Sequence, residues 1–158
     1  MHALPRVILR VALALVVAAS GIVAVSAHAP AQAAESQTYL NGYEVRVVQA
    51  INYQRSRHGL RPLAYTSCPD SYGERWALRL RTSTTLYHQS MYTVMRGCRA
   101  TMAAENIARA RMSAPSLVAM WMRSPGHRAN ILNSRVTQVG VGTQCASLCT
   151  TVADFIRR

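Results

Sequence analysis

The stretch Ser124–Leu132, SPGHRANIL, sets a histidine one residue after Gly126 and follows it with Arg128 and Asn130. Three roles are open to His127 in such a setting: catalytic base, metal ligand, or the residue that holds a turn. Ser124, three residues earlier, offers a hydroxyl that a histidine base would activate as a nucleophile. A serine at a helix end more often caps backbone groups, and that is the plainer reading. The other reactive side chains are Cys68, Cys98, Cys145 and Cys149. Their even number and the lack of any C-x-x-C favour disulfides over a nucleophilic or zinc-binding thiol. Three pairings are open. The Ala-Ser-Leu loop between Cys145 and Cys149 is short enough to close locally, so Cys145–Cys149 and Cys68–Cys98 are the expected pairs.

Disulfides imply an oxidising compartment, and the start of the chain agrees. Arg6 and Arg10 precede an apolar run, Val11–Val25, and Ala31-Gln32-Ala33 is an A-x-A cleavage site, so residues 1–33 are expected to be a secretory signal peptide. The run is shorter than the roughly 20 residues of a membrane span, and no later stretch is apolar enough to be one. The expected localisation is secreted, or extracellular, with no stable membrane span after cleavage. What remains is one ordinary domain. All 18 basic residues are Arg, a usage that GC-rich coding explains, and the net charge is +12. Such a surface attracts anionic polymers or anionic lipid. The Arg residues are scattered rather than clustered, and an exported protein rarely meets a genome, so nucleic acid is not an expected partner.

Residues 34–43 form a loose arm in this reading. Glu44–His58 has helical spacing, with Val45, Val48, Ile51 and Asn52 on one face and Gly59 at the left-handed stop. Pro62 holds the next segment extended. Ser67 and Asp70 resemble a capping box opening a helix to Arg81, with Trp76, Ala77 and Leu80 as its apolar stripe and Gly73 as a weak point. A polar, turn-rich segment leads on to Tyr87-His88. Ser113 caps a third helix whose buried face is Leu117, Met120 and Trp121 and which Pro125-Gly126 ends. VTQVGVGTQ over Val136–Gln144 and the run Cys149–Ile156 are strands joined as a hairpin, and Gly140 and Gly142 suggest a close backbone approach on one face. Three helices and a small antiparallel sheet make the fold class α+β.

Three segments in fixed order, AINYQRSRHGLRPL, AENIA and WMRSPGHRANILNSRVTQVGVG, resemble the bacterial secreted branch of the CAP superfamily, the SCP or PR-1-like proteins. The likeness covers nearly all of residues 44–158. The third segment is the most specific: His127 precedes Gly140 by 13 residues, the expected distance from the family's histidine to its G-x-G strand. The resemblance implies a three-layer α-β-α sandwich and a central groove lined by two histidines and one or two acids. Carried over, the first histidine is His88, the acid Glu105, and the second histidine His127. The position of the second acid is held by Ser124, so the groove is expected to lack that carboxylate. Ala104 stands where Gly is usual, and Phe155 alone remains of the aromatic end of the last strand.

Two imidazoles and a carboxylate are a donor set for a divalent cation, Zn or Mg, with His88 and His127 as the candidate ligands. No cofactor is certain: without the resemblance, His88 is a surface turn residue and Glu105 pairs with Arg109 one helical turn on. The expected function is therefore an extracellular binding module with a His/Glu-lined groove for lipid, sterol or anionic cell-envelope polymer. The alternative is a divalent-metal-dependent hydrolase of peptide, ester or cell-wall substrates, with Glu105 as the candidate base. In SPGHRANIL, Asn130 and Asn133 are expected to hold loop backbone, Ile131 and Leu132 to return to the core, and Arg128 to sit on the groove rim or pair with an acid. Asn52 and Arg55 are expected to tie the first helix to neighbouring loops.

Overall fold

The alternation of β-branched residues with glycine in the last third of the chain places a β-hairpin at the centre of the molecule. The computed structural model describes residues 42–158. The expected signal and most of the arm lie outside the described residues. In chain order the elements are α1 (Gly42–Arg57), β1 (Ala64–Tyr65), α2 (Ser67–Leu80), α3 (Met91–Cys98), β2 (Met102–Ala110), α4 (Ala114–Arg123), α5 (Pro125–Ile131), β3 (Gln138–Cys145) and β4 (Cys149–Arg157). The sheet order is β1-β3-β4-β2. It is antiparallel except where the two residues of β1 pair with Gln138 and Val139 of β3. Cys145 and Cys149 face each other across the hairpin and are bonded, as are Cys68 and Cys98.

The fold is the expected α-β-α sandwich, and strand alternation produces it. Val139, Val141, Ala153 and Phe155 point to one side, where they pack with Val47, Val48 and Ile51 of α1, Leu117 and Trp121 of α4, and Ile131 of α5. The other side of the sheet carries Gly140, Gly142, Val152 and Ile156, covered by α2 and α3 through Ala77, Leu80, Val94 and Cys98. Glycines on that side let α2 lie directly on β3. A Cβ on Gly140 would stand 1.9 Å from the Asp70 nitrogen, and one on Gly142 2.2 Å from the Glu74 nitrogen. Gly73 completes the contact from the helix side, its own Cβ position being 3.1 Å from the Gly142 nitrogen. This glycine is a requirement of the packing rather than a weak point.

Several elements differ from the sequence reading. α1 starts at Gly42, inside the expected arm, and its buried side includes Glu44 and Val47, whereas Val45 is only half-buried. The Glu44 carboxylate accepts the Thr143 backbone N–H at 2.7 Å. Gly59 does adopt φ +68° after the helix. Asn52 and Arg55 tie α1 down as expected. The Asn52 amide exchanges two hydrogen bonds with Leu63, and the buried Arg55 guanidinium donates to the carbonyls of Arg61, Ile131 and Asn133. No capping box opens α2. Thr66 is its N-cap, but its hydroxyl donates across to Gln138 Oε1 instead of capping the helix, while Asp70 turns inward and accepts the Val141 N–H. α3, β1 and β2 were not anticipated.

Ser113 caps α4 as expected, its hydroxyl accepting the Ser116 N–H. Pro125-Gly126 does not end the helical run. The chain breaks only at Ser124 and resumes as α5, because a proline in the first turn of a helix costs no hydrogen bond. Among the described residues no helix is long and apolar enough to cross a membrane.

Candidate functional site

β2 is the free edge of the sheet, and the candidate residues gather along it. Glu105 lies on β2 directly opposite Asp154 on β4, both on the α2 side. The segment between α2 and α3 crosses above this pair and brings His88 and Gln89 to it. His88 Nδ1 donates to Glu105 Oε1 at 2.6 Å. Gln89 donates its backbone N–H to the same oxygen, and its side-chain amide donates once to Glu105 Oε2 at 2.8 Å and once to Asp154 Oδ2 at 2.9 Å. One primary amide therefore bridges two neighbouring carboxyls. The His88 ring is 63% exposed while the Glu105 side chain is 1% exposed, so a buried acid fixes an outward-facing imidazole. With Nδ1 spent on Glu105, Nε2 is the nitrogen left for a ligand.

Burial pushes the Asp154 carboxyl well above the usual carboxylate range, with Glu105 beside it raising it further. Burial also raises Glu105, opposed by its bonds to Gln89 and His88. Two like charges this close and this dry do not both ionise readily. Asp154 is a site residue that the sequence reading missed. A second carboxyl thus lies beneath Glu105, fully buried on β4, while Ser124 supplies none. An acid inside the otherwise apolar run VADFI was the available signal.

His127 approaches from the other side of the same edge, on α5. Two asparagines hold it there: Asn106 on β2 donates to the His127 carbonyl, and Asn130 on α5 donates to the Glu105 carbonyl and to Asn106 Oδ1. Asn130 thus ties α5 to β2 rather than holding a loop. Asn133 does hold its loop, accepting the Arg135 N–H. The His127 ring is half-buried, 6.3 Å from the Trp121 ring. Desolvation lowers its pKa, and so does the charge of His88, which places the two histidines within electrostatic reach.

The remaining candidates separate from this cluster. Ser124 precedes α5, and its hydroxyl caps nothing there. Arg128 reaches back to His58 at 3.4 Å instead of pairing with an acid. Glu105 and Arg109 do not pair, because this segment is strand, not helix. Arg109 donates instead to the carbonyls of Leu80 and Ser83 and to Thr150, closing the C-terminal end of α2. Among the described residues no three His, Cys, Asp or Glu side chains form a metal-holding group. A divalent cation here would rest on two imidazoles, with Glu105 orienting His88 from behind, an outer-shell role.

The sequence profile of the Cysteine-rich secretory protein family, CAP, matches residues 48–154. The chain is 32% identical over 127 residues to "Uncharacterized protein YkwD" of Bacillus subtilis, covering 72% of this chain and 49% of that protein. The chain thus spans about half the length of this curated relative. An extracellular SCP-domain protein of Bacillus anthracis superposes with a TM-score of 0.66 at 26% identity, over 75% of this chain and 41% of that one. An outer surface protein of Borrelia burgdorferi shares the fold, with a TM-score of 0.64 at 18% identity over 71% of this chain and 90% of that one.

Proposed function

The chain belongs to the CAP family of cysteine-rich secretory proteins, and from that premise we propose that it is an exported binding module whose ligand sits at the β2 edge between His88 and His127. The state of Glu105 carries this reading. A general base needs a free lone pair within reach of its substrate. Glu105 Oε1 accepts from the His88 ring and the Gln89 N–H, Oε2 accepts from the Gln89 amide, and with the side chain 1% exposed the lone pair left on Oε2 is out of reach of solvent. It is built to orient an imidazole, not to take a proton from outside. Export is supported by the two disulfides, and by relatives described as extracellular or outer-surface proteins. The partner classes that suit a basic, exported module are lipid or sterol and anionic cell-envelope polymer.

Calorimetry on the mature domain tests the groove. Zinc and magnesium are titrated into the wild type and the His88→Ala/His127→Ala double variant, followed by phosphatidylglycerol vesicles with and without sterol. Saturable binding by the wild type that the double variant loses is the expected result. No difference between the two proteins with any probe would remove the groove as the ligand site. Metal-dependent turnover of peptide, ester or cell-wall substrates that is lost in the double variant would replace the binding reading with the hydrolase one.

A further inference from the structure

Gln89, which bridges the carboxyl pair, also lines a cavity of about 390 Å³ between α2 and α3. Tyr72, Arg75, Trp76 and Arg79 of α2 form one wall, and Gln89 and Thr93 lie across from them. The Arg75 guanidinium stands 4.5 Å from the Tyr72 ring centroid, and that of Arg79 5.5 Å from Trp76. Stacking of this kind holds an arginine in place while leaving its N–H groups available at the edges. Tyr87 fixes Trp76 in turn: the rings meet edge-on at 5.3 Å, and the Tyr87 carbonyl accepts the indole N–H.

The guanidiniums lack counter-charges. The charge pair nearest in the chain is His88–Glu105, which leaves both arginines out. Four of their five acids, Glu44, Asp70, Glu105 and Asp154, are buried. Glu74, the acid nearest in sequence to Arg75, is taken by Gln144. The cavity thus combines two adjacent, pre-positioned cations one helical turn apart with flat aromatic surface, in a space within the usual range for small ligands.

We propose that this cavity binds an acidic saccharide, a sugar bearing a carboxylate or a phosphate. Arg75 and Arg79 would clamp the anionic group, and the Trp76 and Tyr72 side chains would pack against the ring. The proposal rests on the binding-module reading above but not on the histidine groove.

Tryptophan fluorescence gives a local readout. The chain has two tryptophans, Trp76 in the cavity and Trp121 fully buried. Digalacturonate and glucose 1-phosphate are the two acidic probes, cellobiose the neutral one and inorganic phosphate the anion alone. Each is titrated into the wild type, into Arg75→Gln/Arg79→Gln, and into His88→Ala/His127→Ala. Both arginines are exposed, so their replacement leaves the fold intact. The expected result is a saturable Trp76 change with at least one acidic sugar. It should weaken about tenfold or more in the arginine variant and persist in the histidine variant. The probe that binds more tightly distinguishes uronate from sugar phosphate. The proposal is overturned if neither acidic sugar binds saturably, if cellobiose or free phosphate binds as well as they do, or if the arginine variant binds undiminished. Loss in the histidine variant alone would assign the ligand to the groove instead.

Discussion

Replacing Asp70 with asparagine should remove one component of a pH dependence that the fold builds into this protein. The Asp70 carboxyl is fully buried between α2 and β3, accepts the Val141 N–H, and has the Tyr65 hydroxyl beside it. Burial is the main cause of its rise from 3.8 to about 7, and Glu74 adds to it. Below pH 3.8 the carboxyl is protonated in both folded and unfolded chains and contributes no pH dependence. Between that point and about pH 7 only the unfolded chain ionises, so stability falls as pH rises. At about 1.4 kcal/mol per pH unit, the total loss approaches about 4 kcal/mol, fully reached above about pH 7. Glu105 and Asp154, also raised, act in the same direction. His127, lowered, acts oppositely below its ordinary pKa. The difference between wild type and Asp70→Asn cancels these shared contributions. Urea unfolding followed by circular dichroism from pH 4 to pH 9 measures it. The variant should gain on the wild type by a few kcal/mol across that range, whatever their order at pH 4. Parallel pH profiles, or a wild type that gains on the variant as pH rises, would refute the account of Asp70.

Three further outcomes are expected. Gly140→Ala should destabilise by about 3 kcal/mol or more, since its Cβ would stand 1.9 Å from the Asp70 nitrogen and a backbone cannot repack; chemical denaturation measures it. Removing Cys68–Cys98 by double serine substitution should cost more than removing Cys145–Cys149, about 3.5 against about 2 kcal/mol, because the loops close over separations of 30 and 4 residues; the two melting temperatures give the order. Arg55→Lys should destabilise by about 2 kcal/mol or more despite keeping the charge, because one ammonium cannot reproduce the fork that meets the carbonyls of Arg61, Ile131 and Asn133; equilibrium unfolding at neutral pH decides it.

The parts of the fold that were legible are those where a residue type has one physical use. Gly140 and Gly142, alternating within a strand, announced a close backbone approach on one face. Ser113 announced a helix start, and Gly59 a left-handed stop. β2 was not legible because AENIARA has little intrinsic strand preference; nine backbone pairings with β4 make it a strand. α3 has eight residues, too few to form without the packing of Val94 and Cys98. In the site, the resemblance led to His88, Glu105 and His127, and the structure joins the first two by a hydrogen bond with the third nearby. Gln89 and Asp154 escaped because their roles exist only through cross-strand register and a loop crossing, neither of which leaves a local pattern.

Where Pro69 and Asp70 meet Gly140, and Gly73 and Glu74 meet Gly142, main chain rests on main chain with no side chains between. A side chain can change rotamer and so cushion a displacement; peptide planes in contact transmit it. α2 and the β3–β4 hairpin are therefore one stiff plate. The walls of the cavity are mechanically unequal: the arginine-bearing wall is anchored to the plate, while on the far side α3 is held to α2 at its end by Cys68–Cys98 and its start continues from the irregular segment 81–90. That same segment carries His88 and Gln89. A ligand that pushed the cavity open would displace this segment first, and with it the imidazole over Glu105.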